Sequence, residues 1–231
     1  MKNKIVVVIM MLISVSIFGQ KNRKAYFPVW SYHSENSDIY GLSLGVLPKD
    51  TFNDTSLTRS YGVRVEAPGF GLFYFMAPKS FIRGGAKKDK IIEKVYGFNL
   101  SGGSLRGMEV NGFSAGFVGQ YLQKMNGIAI ASIGNSVEEQ KGVMIAFMVN
   151  EMYTGTGLSV ALGNHADYYK GIQIGGSNGI EKKGTGLQIG VYNDSKDFRG
   201  IQIGLWNKNE RRSLPFINWQ FTKKKVKSKT S

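Results

Sequence analysis

The sequence predicts an all-β chain wound as a β-solenoid-like tandem array, one strand-turn repeat for every 14–15 residues. Three observations carry this. Glycines recur at Gly97, Gly112, Gly127, Gly142, Gly157, Gly171, Gly186 and Gly200. A period-two pattern follows each of them, as in Leu158, Val160, Leu162 and in Ile201, Ile203, Leu205. Side chains alternate across a strand, so this pattern marks a half-buried strand. An asparagine then closes most copies, at Asn135, Asn150, Asn164, Asn178, Asn193 and Asn207. Asparagine tolerates left-handed backbone and bonds to its own neighbours, which suits a turn.

Recurrence of the same amide at the same position favours parallel stacking over an antiparallel meander. In a stack with strands about 4.8 Å apart, an Asn or Gln ladder bonds side chain to side chain, whereas a meander gives identity no purpose. The apolar second, fourth and sixth positions are expected inside. The polar third and tiny fifth positions are expected on an outer face. Apolar linker residues (Val137, Met152, Tyr169, Ile180, Phe198) are placed to meet the strands across a thin core. The alternative is an antiparallel outer-membrane β-barrel of about twelve strands, structural or pore-forming, whose strands also alternate. Seven residues at about 3.3 Å, tilted by about 40°, rise only about 18 Å against a required apolar band of about 25 Å.

Along the chain, Met1–Lys4 is cationic and Ile5–Phe18 is uncharged, ending in Gly19-Gln20. Fourteen helical residues span about 21 Å, too short for a hydrocarbon core of about 30 Å. Residues 1–20 therefore read as a signal peptide, and the protein as exported to the periplasm, outer membrane or cell surface. No transmembrane helix is expected. Residues 21–96 read as degenerate repeats forming an N-terminal cap with loop insertions. Gly41-Leu-Ser-Leu-Gly45 and Gly62-Val-Arg-Val keep the alternation, and Gly69–Met76 reads as an aromatic strand. Residues 97–213 hold eight tandem repeats. Leu214–Phe221 fills the next slot, with Pro215 suited to an edge, and reads as a cap strand against edge-to-edge aggregation. Residues 222–231 read as a basic disordered tail.

The repeats Gly-Ile-Gln-Ile-Gly-Gly-Ser-Asn (171–178), Gly-Leu-Gln-Ile-Gly-Val-Tyr-Asn (186–193) and Gly-Ile-Gln-Ile-Gly-Leu-Trp-Asn (200–207), with the ending that runs to Phe221, resemble a family of bacterial surface and exported repeat proteins. Such proteins occur among spirochaetes and Bacteroidota-like Gram-negative bacteria. The resemblance covers 97–221. It implies an envelope location and transfers no catalytic residue.

The chain of 231 residues has no cysteine, which excludes disulfides, thiol chemistry and a lipidated cysteine anchor. Its formal charge is +14, of which Lys2 and Lys4 belong to the leader. The excess is concentrated at Lys87, Lys88 and Lys90, at Arg211 and Arg212, and at Lys223, Lys224, Lys225, Lys227 and Lys229. For an exported chain this favours an envelope protein or an anionic glycan or lipid as partner over nucleic acid.

No catalytic, metal or cofactor site is predicted. His33 and His165 are the only histidines and do not stand at ligand spacing. Gly-x-Ser-x-Gly occurs around Ser43 and Ser114, but neither is followed by the helix that a nucleophile elbow requires. Glu138-Glu139 reads as solvated. Gly175-Gly176 and Gly184-Thr-Gly186 lack a following helix and a Walker lysine. The expected function is a non-enzymatic envelope repeat protein presenting an interaction face of Gln173, Gln188 and Gln202 to a protein or glycan, with Tyr192 and Trp206, which share one repeat position, as stacked aromatics able to bind carbohydrate.

Overall fold

A computed structural model describes residues 23–49, 56–69, 71, 90–104 and 107–221. The expected leader, the basic tail, most of the aromatic segment 69–76 and most of the basic loop around Lys87 lie outside the described residues.

The described chain forms one sheet of eleven strands: β1 (Lys24–Tyr26), β2 (Val29–Ser31), β3 (Ser37–Gly45), β4 (Thr58–Glu66), β5 (Glu93–Ser101), β6 (Met108–Gly116), β7 (Gly119–Ala131), β8 (Gly134–Ala146), β9 (Val149–Val160), β10 (Gly163–Lys208) and β11 (Ser213–Gln220). Every pairing from β3 to β10 is parallel and in register, and the repeat glycines meet one another: Gly41 with Gly62, Gly62 with Gly97, and so on to Gly157 with Gly171. A barrel of hairpins would pair neighbours antiparallel. The chain therefore winds as a β-solenoid, and the barrel reading is set aside. Strand β10 is several successive coils of this winding. β11 alone runs antiparallel, with Ile203 opposite Ile217 and Gly200 opposite Gln220, and closes that end of the stack.

The glycine column has a steric origin. Gly171 sits at φ +145°, and a Cβ there would lie 2.0 Å from the carbonyl oxygen of Gly157 in the coil below. A side chain would force neighbouring coils apart and break the parallel hydrogen bonds.

The inside and outside of the repeat are the reverse of the sequence expectation. Third-position residues Gln173, Gln188 and Gln202 are buried, at 0%, 1% and 0% exposure. The apolar second and fourth positions face outward, with Ile172 and Ile203 each 40% exposed. The fifth position shows why. A Cβ on Gly175 would lie 2.8 Å from Asn164 Nδ2, and on Gly190 2.6 Å from Asn178 Nδ2. The fifth residue is tiny because the repeat asparagine folds inward against it. The third and fifth positions lie on the same side of the strand, so the glutamines are inside too.

The asparagines also do not use left-handed backbone. Among the described residues only Asn36 and Phe216 are non-glycines with positive φ. The repeat asparagines act through their side chains. The linker residues are placed as expected: Val137, Met152, Tyr169, Ile180 and Phe198 are buried in one cluster. They face Ala129, Met144 and the amides, not the isoleucines of the repeat strands.

Candidate interaction face

Each repeat asparagine donates in two directions. Asn164 Nδ2 gives a hydrogen bond to Ile174 O of the next coil at 3.0 Å and another to Asn178 Oδ1 at 2.9 Å. The same pair of donations recurs at Asn135, Asn178 and Asn193. The chain of amides runs from Gln120 through Asn135, Asn150, Asn164, Asn178 and Asn193 to Asn207. A second ladder joins Gln188 Nε2 to Gln173 Oε1 at 2.7 Å, Gln202 Nε2 to Gln188 Oε1 at 2.9 Å and Asn218 Nδ2 to Gln202 Oε1 at 3.1 Å. A buried amide with its donors filled stabilises the stack; Gln173 Nε2, at the end of the second ladder, is buried without a partner among the described residues, which costs about 1–3 kcal/mol.

The face foreseen from Gln173, Gln188, Gln202, Tyr192 and Trp206 is therefore not one surface. The glutamines are interior ladder residues. Tyr192 and Trp206 are exposed, one coil apart, and the Tyr192 hydroxyl donates to Asp194 Oδ2 at 3.2 Å.

The surface that the fold does present is apolar. Its first outward column pairs Leu42, Val63, Phe98, Phe113, Ile128, Val143, Leu158 and Ile172 rung by rung. Leu187 and Ile201 follow in the repeat, and Trp219 of β11 lies opposite Ile201. The second column pairs Leu44, Val65, Leu100, Ala115, Ile130, Ile145, Val160 and Ile174, then continues through Ile189 and Ile203 to Ile217. A more broken third column carries Phe117, Phe147, Leu162, Val191 and Leu205, the last 65% exposed. None of these residues is charged. Near the C-terminal end, Ile174, Ile189, Val191, Ile203, Leu205 and Phe216 line a shallow apolar depression, opened where Gly176 interrupts the third column.

The next outward position, just before each repeat glycine, forms a border column. It begins as a tyrosine stack, with Tyr40, Tyr61 and Tyr96 at 5.0 Å centroid spacing. It passes through Asn111 and Asn126, hydrogen-bonded at 2.8 Å, and continues as Lys141, Thr156 and Lys170, then Thr185 and Arg199. It contains no acid. Two acids stand one column further out with their own cations: Glu109 with Lys94 at 2.9 Å and Glu139 with Lys124 at 3.1 Å. Burial works against ionisation of Glu109, but hydrogen bonds from Lys94 and Asn111 hold its carboxyl below the ordinary value. Glu138 also faces outward beside Glu139, because pairing is interrupted at that position.

A dense cluster of charge among the described residues is interior and lies in the N-terminal coils. Arg64, fully buried at the third position of its coil, donates to both oxygens of Glu93, to Glu66 Oε2 at 2.6 Å and to Asn99 Oδ1 at 2.9 Å. Its guanidinium also lies 4.0 Å from the Tyr32 ring. Burial opposes its charge, but Glu93 and Glu66 hold it firmly protonated. Burial pushes the Glu66 carboxyl above its ordinary value against the pull of Arg64. One guanidinium between two carboxylates leaves a surplus negative charge, and protonation of Glu66 relieves it. The cluster has the character of an internal clamp joining coils.

Both serines of the Gly-x-Ser-x-Gly segments are inside. Ser43 accepts from the Ser60 hydroxyl at 3.0 Å, and Ser114 donates to Gln120 Oε1 at 2.6 Å. His165 is an exposed residue beside the asparagine ladder. Among the described residues no group of three or more His, Asp or Glu side chains is placed to hold a metal ion, and no helix is long and apolar enough to cross a membrane. Comparison with family models, curated protein sequences and solved structures returned no match, so the face is read from its own geometry.

Proposed function

We propose that this chain is an exported, non-enzymatic repeat protein of the bacterial cell envelope whose β-solenoid serves as a rigid interaction platform. The working surface is the uncharged apolar face, and this face is the observation that carries the reading. A monomer's largest apolar patch typically covers about 300–600 Å². Here two columns of eleven rungs at about 4.8 Å make a strip about 48 Å long, with the third column beside it. A strip of that extent on a rigid support is what a binding platform offers. The leader-like residues 1–20 and the resemblance of the repeats to exported surface proteins support the envelope location.

Cell fractionation with mass spectrometry of the N-terminus tests this. The expected result is an envelope-associated chain beginning at Gln20 or Lys21. A cytosolic chain that retains residues 1–20 would overturn the reading.

A further inference from the structure

We infer that the apolar face seats on the surface of an anionic phospholipid bilayer, so that the solenoid lies flat on the membrane and does not cross it. The inference rests on the platform reading above and names its partner.

Charge complementarity selects lipid over a second copy of the chain. The border column beside the apolar strip carries Lys141, Lys170 and Arg199 and no acid. β11 runs antiparallel and ends with Gln220 opposite Gly200, so the chain leaves the fold on this same border, next to Arg199. The sequence then continues from Phe221 with Thr-Lys-Lys-Lys-Val-Lys-Ser-Lys-Thr-Ser, which contains five lysines and no acid. Two copies stacked face to face about an axis across the coils would bring two such cationic borders together with nothing to neutralise them. An axis along the stack would set each against the opposite border, whose Asp194 is already paired with Lys208 at 3.1 Å. A leaflet of anionic headgroups meets all of them. An apolar face together with a polybasic segment provides the two signals that stable membrane attachment requires.

The opposite border carries the exposed aromatics Tyr192, Trp206 and Phe216, residues that favour the headgroup region, with Asp194 there neutralised by Lys208 at 3.1 Å. Phe216 is an independent observation. It adopts φ +64°, a left-handed conformation that a bulky residue rarely takes, at a break in the pairing register between Gly204 and Asn207. The residue is nevertheless 69% exposed. The strain gains no internal packing; it holds an aromatic ring out over the apolar depression.

The test is vesicle flotation of residues 21–231, without the apolar leader, which would itself bind bilayers. One vesicle set is phosphatidylglycerol with phosphatidylethanolamine; the other is phosphatidylcholine alone. The chain is expected to float with the anionic set, and to float less as salt rises. Replacing the five tail lysines by glutamine is expected to weaken anionic binding at least about a hundredfold, each lysine near the surface being worth about fivefold. Ile174→Asp, Ile189→Asp and Ile203→Asp together should lower binding on the order of a hundredfold or more, with an unchanged circular dichroism spectrum. Equal flotation with both vesicle sets, or full binding by the triple variant, would overturn the inference. So would a dimer in light scattering that the triple variant dissociates, since a second copy would then cover the face. Because location is read separately by fractionation, an envelope-located chain that fails to float refutes only the lipid partner.

Discussion

Asn164 sits mid-ladder, and its replacement by alanine tests the inside-out reading of the repeat most directly. The side chain is fully buried and takes part in five hydrogen bonds, one of them a long donation to Ala161 O at 3.4 Å. It donates to Ile174 O at 3.0 Å and Asn178 Oδ1 at 2.9 Å, and accepts from Ser159 Oγ at 2.6 Å and Asn150 Nδ2 at 3.3 Å. The losses are unequal. Ile174 O still receives Ala161 N–H at 3.2 Å, and Asn150 Nδ2 still reaches Val160 O at 3.1 Å. Those two bonds cost about 1 kcal/mol each. Asn178 Oδ1 and the Ser159 hydroxyl lose their tightest partners inside the stack, at about 1–3 kcal/mol each. Asn164→Ala should therefore destabilise by about 5 kcal/mol, against a total stability of about 5–15 kcal/mol for a domain. Asn207, at the end of the ladder, donates to Gly204 O at 3.0 Å and Leu214 O at 3.4 Å, and its alanine variant should cost about 2 kcal/mol because fewer groups are stranded. Urea unfolding followed by far-ultraviolet circular dichroism, with a common slope for all variants, measures both. The outward Ile189→Ser is the paired control and should change stability by less than about 1 kcal/mol. A cost below about 1 kcal/mol for Asn164→Ala, together with a larger one for Ile189→Ser, would refute the assignment of inside and outside.

Gly171→Ala should destabilise by about 3 kcal/mol or more, from the positive φ and the clash with Gly157 O, and the same urea titration reads it. Arg64→Met should cost about 3–5 kcal/mol, because it leaves Glu66 and Glu93 buried without their cation; replacing Arg64 and Glu93 together by Met and Leu should cost less than Arg64→Met alone. For Glu66 the sign follows from its raised value. The folded state holds the proton more tightly than the unfolded state, so its contribution is full below the ordinary carboxylate range and is lost as pH rises through the raised value. Stability of the parent chain should thus decline on that limb and that of Glu66→Gln should decline less, as urea midpoints from about pH 4 to 8 would show; a parallel pair of profiles would disprove it.

The winding of the chain was legible because its cause leaves a periodic mark. Glycine at 14–15-residue intervals reports coil-to-coil contact, and repeated asparagine reports a ladder that only a parallel stack can build. Which side of the strand faces inward was not legible from alternation. Ile-Gln-Ile reads identically with isoleucine in or out, and the usual preference for apolar interiors selects the wrong side. The clue was the uniformly tiny fifth position, which excludes an outer-face explanation once the asparagine amide is seen against it. The Arg64–Glu93–Glu66 cluster left no sequence signal, since its members come from two coils separated by a long insertion.

The inverted repeat follows from the shortness of the coil. A coil of 14–15 residues encloses a space too narrow for two opposed rows of branched side chains. It does accommodate one row of linker residues, such as Met152 and Ile180, against glycine, alanine and flat amides. An amide column is best satisfied in that space where it continues from rung to rung, because each member bonds the next. The identity of Asn135, Asn150, Asn164, Asn178, Asn193 and Asn207 is therefore a cooperative requirement, not a set of independent turn preferences. Once amides occupy the inside, period-two alternation leaves the isoleucines no position but outside. The apolar face is thus a geometric consequence of the narrow coil, yet its freedom from charge is not. Nothing inside the fold forbids lysine or glutamate at Ile172, Ile189 or Ile203, and the outward column beyond the border carries both signs. An outward column without one charge over eleven rungs, on a chain of net charge +14, therefore points to a partner that penalises charge there.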